Sequence, residues 1–134
     1  MKLGPARGAA SRQDRFSQLR RDQEAAPKLR VLFPTVEQLR FDLRFEGGGA
    51  ITPVPQSRVL YPPARAHFSF PCPHNDCDGW FNLDTVVHAA IDDPSHRVEG
   101  VLKCAGSRGG DLAAKLPCRL HLRYTLTAVC SPSH

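Results

Sequence analysis

The chain has no apolar run approaching the ~20 residues that cross a bilayer, so no membrane span is expected. Its first thirty residues lack the apolar core and small-residue cleavage site of a secretory signal, and the acids Asp14, Asp22 and Glu24 disfavour a mitochondrial leader. A cytoplasmic protein is the expectation. A phosphate-binding loop is also missing, because Gly47-Gly48-Gly49 is followed by neither the lysine nor the helix such loops need. No Cys-x-x-Cys pair is present to support thioredoxin-type exchange, and no nucleophile elbow or cysteine-protease signature appears. Catalysis is left without a motif, and no enzyme activity is expected.

Basic charge is abundant, but only at one end. The net charge of +5 comes from residues 1–30, where eight Lys or Arg face Asp14, Asp22 and Glu24. Residues 31–134 hold ten basic and ten acidic side chains and balance to zero. The basic character therefore belongs to the leader and not to the expected domain, which weakens any case for nucleic-acid binding through an overall field. Residues 1–27 offer only Phe16 and Leu19 as large apolar side chains after Leu3. Such a segment has no stripe to dock. The reading is a disordered basic leader over 1–30 and a single small domain over 31–134.

Inside that domain the apolar residues are ordered by period. Leu39, Phe41, Leu43 and Phe45 alternate with Arg40, Asp42, Arg44 and Glu46, the mark of a strand with one buried face. Residues 50–65 carry four prolines and read as a long loop with at most an edge segment. Phe68, Phe70 and Cys72 predict a second strand, and Val98 to Cys104 a third. Asn82 is a candidate N-cap for a helix whose apolar residues are Leu83, Val86, Val87, Ala90 and Ile91. In the last strand Cys118, Leu120, Leu122, Tyr124, Leu126, Ala128 and Cys130 share one face. The assembly expected is α+β: an antiparallel sheet of about four strands, with one helix on its apolar face.

Four of the five cysteines form two groups, Cys72 with Cys77 in Cys-Pro-His-Asn-Asp-Cys, then Cys104 with Cys118. Thiols stay reduced in a cytosolic protein, so grouped cysteines point to metal before disulfides. Cys104 closes one strand and Cys118 opens the next, so antiparallel pairing would bring them together. Zinc bound structurally by Cys72, Cys77, Cys104 and Cys118 is the leading reading. Two others compete with it: small buried thiols that only fill the core, and redox or disulfide chemistry. His74 is a substitute ligand should one cysteine drop out, but a solvent-exposed turn histidine is favoured. Cys130, at the far end of the last strand, is assigned to packing.

The arrangement over residues 68–130 resembles the zinc-ribbon group of small domains, in which two loops clasp one zinc. It departs in its four-residue first spacer and in a second pair split by a loop, and the helix between the pairs is more like a treble clef. The resemblance implies a four-cysteine site at one end of the sheet and a non-enzymatic interaction, or adaptor, module. The expected partner is a protein, met through Arg40, Arg44, Arg119, His121 and Arg123 on the polar sheet face. Cross-strand ion pairing is the plainer account of that face. The alternative function is nucleic-acid binding, with residues 1–30 supplying phosphate contacts.

Overall fold

The computed structural model describes residues 12–47, 55–74, 76–109 and 116–132. The alternating segments form the two long strands at the centre of the sheet. Strand β1 (Val36–Gly47) and the last strand, β8 (Leu120–Cys130), pair antiparallel, with Phe41 opposite Leu126 and Phe45 opposite Leu122. Strand β5 (Arg97–Lys103) pairs with the other side of β8, and β2 (Pro55–Leu60) with the other side of β1. The four-stranded antiparallel order is β2-β1-β8-β5.

One strand of this sheet is not the one expected. The sheet is completed by the edge segment in the proline-rich stretch, whose Pro55 stands at the strand's start, where a missing N–H is tolerated. Strand β3 (Ser69–Pro71) instead pairs with β4 (Trp80–Asn82), which sequence reasoning missed. These two strands are short because the chain between them leaves to make a cysteine loop.

Helix α3 (Asp84–Asp92) lies on the apolar face as anticipated and buries Val86, Val87 and Ala90. The Asn82 side chain accepts the Asp84 N–H at 2.8 Å and so satisfies one of the open donors of the first turn. The remaining apolar area is covered by the β3–β4 hairpin. Its Phe70 and Phe81 meet Phe45 of β1 at ring-centroid distances of 6.1 and 5.7 Å. Edge-to-face packing of this kind orients as well as buries. It fixes the hairpin over the end of β1.

The leader differs most from expectation. Residues 1–11 lie outside the described residues, and two helices follow from Arg12. Helix α1 (Arg12–Ala25) rests against β3, and α2 (Leu29–Leu32) places Leu29 at 0% exposure in the core. The boundary at residue 30 therefore cuts through the domain. Helix α1 lacks an apolar stripe, as the sequence indicated, and docks by a different means: the side chain of Arg15 is only 4% exposed. Among the described residues no helix is long and apolar enough to cross a membrane.

Candidate metal centre

Two turns meet at the end of the sheet where β1 stops and β8 begins. The first joins β3 to β4 and carries Cys72 and Cys77. The second lies between β5 and β8: Cys104 follows β5, and its N–H bonds the Leu120 carbonyl at 2.9 Å. Short strands β6 (Ser107–Arg108) and β7 (Leu116–Pro117) then pair and return the chain, so that the Cys118 N–H reaches the Gly106 carbonyl at 2.9 Å. Of the thirteen residues between Cys104 and Cys118, those described thus bring the two cysteines together.

The four sulfurs of Cys72, Cys77, Cys104 and Cys118 all lie within 4.8 Å of one another, and all four residues are buried. Cys77 and Cys104 approach to 3.5 Å, Cys72 and Cys118 to 3.9 Å. Tetrahedral coordination at a Zn–S distance of ~2.3 Å sets sulfurs ~3.8 Å apart. The cluster is thus of a size that can hold one metal ion. Cys130 is outside it, opposite Val36 at the other end of β8.

Main-chain donors converge on the sulfurs. The Gly79 N–H donates to Cys77 Sγ at 3.3 Å and the Gly106 N–H to Cys104 Sγ at 3.4 Å. The His74 N–H does the same for Cys72. Each donor stands two residues after its cysteine, and each stabilises negative sulfur. At Cys72 and Cys77, without a cation, these donors are outweighed. Burial pushes the Cys72 thiol far up, and it pushes Cys77 up to about 12, with the Gly79 N–H pulling the other way. Four acceptor sulfurs in so dry a place call for a positive charge to make the thiolates stable.

Three residues, Asp78, Asp76 and Arg15, lock the turns to one another and to the helix. Asp78 accepts the Ser107 N–H at 2.7 Å, while its own N–H reaches the Ser107 carbonyl at 3.2 Å. Asp76 accepts from Arg108 Nε at 3.0 Å and from the Gly109 N–H at 3.3 Å. Partial desolvation opposes ionisation of Asp76, but the Arg108 hydrogen bond and charge hold its carboxyl below the usual range. Arg15 of α1 donates to the carbonyls of Cys72 at 3.4 Å and His74 at 3.1 Å. His74 is not the exposed turn residue anticipated. It is 6% exposed, beneath α1, and its sulfur-facing group is the main-chain N–H.

None of the polar-face residues belongs to the cysteine cluster, although Arg119 directly follows Cys118. Arg40, Arg44, His121 and Arg123 share the face of β1 and β8 that α3 does not cover, and Arg119 is exposed just before β8. Arg40 pairs with Asp42 at 3.1 Å and Arg123 with Glu46 at 2.9 Å, all four side chains being at least one-third exposed. Arg44 stands directly opposite Arg123.

Sequence reasoning missed Arg15 and Gly106, and read Gly79 only as the tight exit of the first cysteine turn. The glycines had a legible signal, since Cys77-Asp78-Gly79 and Cys104-Ala105-Gly106 are the same Cys-x-Gly pattern. Arg15 had none.

Fold and site together define a small α+β protein with a four-cysteine cluster of metal-binding geometry at one end of its sheet. Compared with protein-family models, with curated proteins and with solved structures, the chain matches none.

Proposed function

We propose that Cys72, Cys77, Cys104 and Cys118 hold one structural zinc ion, and that the protein is a non-enzymatic interaction module built around it. The observation that carries this reading is the gathering of four buried sulfurs within 4.8 Å. Four thiolates close a tetrahedral zinc site and leave no position for water or substrate, which favours structure over catalysis. Soft sulfur ligands also select zinc over the hard cations. The hydrogen-bond donors at His74, Gly79 and Gly106 offset part of the −2 charge of such a centre. The partner-facing surface is the polar sheet face, where Arg44 and Arg119 are among the cations outside the ion pairs of the described residues, and the partner is a protein bearing acidic groups.

Metal analysis of protein purified without added zinc, paired with thermal unfolding of Cys77→Ser, tests the reading. Structural zinc is worth about 10–16 kcal/mol in zinc-finger peptides, comparable with the whole stability of a domain, about 5–15 kcal/mol. The wild type should carry one zinc per chain, and Cys77→Ser should lose it and unfold at far lower temperature. Metal-free wild type with a melting temperature equal to that of the variant would reject the reading.

A further inference from the structure

Strand β2 places polar side chains on the apolar side of its sheet. Register sets Arg58 opposite Phe41 and Gln56 opposite Leu43, so a cation and an amide stand where apolar residues are expected. Departures of this kind from the local pattern are expected where a site needs them.

Arg58 faces a groove between β1, β2, β3 and α1. Its larger lobe, about 250 Å³, is walled by Phe16, Leu43, Phe45 and Phe70. A smaller lobe of about 50 Å³ continues inward to His67. Arg58 lines both lobes, and among the described residues no Asp or Glu lines either. Among the described residues Arg58 makes no ion pair and no side-chain hydrogen bond. His67 Nδ1 is buried without a hydrogen-bond partner among the same residues. The other arginine of the groove, Arg15, is engaged by the carbonyls of Cys72 and His74.

We propose that this groove binds a small anionic amphiphile, a free carboxylate with an apolar tail. The carboxylate sits on the Arg58 guanidinium, whose planar fork matches two carboxylate oxygens, and the tail lies against Leu43 and Phe70. Concave, mostly apolar walls with one oriented charge are the usual make-up of a small-molecule site. The lack of any acidic lining residue disfavours cationic ligands. Inward-pointing charges on edge strands also serve to deter strand pairing. That role accounts for the side chain of Arg58, but not for an aromatic-walled cavity beside it.

The test is calorimetric titration of the full chain, as purified, with dodecanoate, dodecanol and dodecyltrimethylammonium, all below their micelle concentrations. Metal content is followed in parallel, so that the groove and the zinc reading are judged separately. Dodecanoate should bind at one saturable site, dodecanol at least about tenfold more weakly, and the ammonium compound not at all. Arg58→Gln should lose about tenfold in dodecanoate affinity and keep its affinity for dodecanol, while Arg30→Gln, exposed on α2 and lining neither lobe, should match the wild type. Absence of saturable dodecanoate binding overturns the proposal. So does unchanged affinity in Arg58→Gln, including the case in which that variant self-associates.

Discussion

Gly79 and Gly106 lie backbone against backbone at the metal centre. A Cβ added at Gly106 would run into the Gly79 main chain, and one added at Gly79 would overlap the Cys104 sulfur and sit 3.1 Å from Gly106 Cα. Neither residue adopts positive φ. Space is therefore the constraint, and conformational freedom is not. The close approach lets both N–H groups reach sulfur while Asp78 and Ser107 bond alongside.

Gly79→Ala should accordingly cost about 1–3 kcal/mol, the usual range for an overpacked interior, and should weaken metal retention as well. Thermal melting and metal content of the purified variant check both effects. Wild-type values for both would mean that the two turns can separate freely, contrary to the packing.

Arg15 predicts a local effect instead of a global one. Its guanidinium gives α1 an anchor on the first cysteine turn, through hydrogen bonds of a charged donor worth about 1.5–3 kcal/mol. Arg15→Met keeps much of the apolar stem and removes the donors. Amide exchange or limited proteolysis should then open residues 16–25 while β1 and β8 stay protected. If α1 exchanges as slowly in the variant as in the wild type, the helix is held by something other than this side chain.

What could be read from the sequence followed from how each element is held. Strands β1 and β8 and helix α3 are positioned by burying one face, so their periods of two and 3.6 are written into the residues. The cysteine pairing was readable for a similar reason, since Cys104 and Cys118 flank the ends of paired strands. Strand β2 was obscure because its inner face carries Arg58 and Gln56 in place of apolar residues, and prolines surround it. The β3–β4 hairpin has only three residue pairs, too few for alternation to show. Helix α1 carries no amphipathic period, because its main polar anchor is a buried arginine bonded to carbonyls 57 and 59 residues away. Long-range polar contacts of that kind leave no local period.

The thiols give the last prediction its sign. In the metal-free fold, burial raises Cys77 from the ordinary 9.0 to about 12, and Cys72 moves further in the same direction. A group whose folded value is raised contributes stability that is complete below its unfolded value and is lost as pH climbs toward the folded one. Chelator-treated protein should therefore lose stability progressively above about pH 9. The zinc-loaded protein should behave oppositely. Binding displaces protons from Cys72 and Cys77, so affinity rises with pH and the metal leaves on acidification. Zinc titrated into chelator-treated protein near neutral pH, in weakly buffered solution, should release protons from both thiols. Chemical unfolding between pH 5 and 11 should show the chelator-treated protein losing stability above about pH 9, while the zinc-loaded protein gains stability up to about that pH and holds it above. Parallel curves would show that the cluster binds no zinc, because only a cation that competes with protons can separate them.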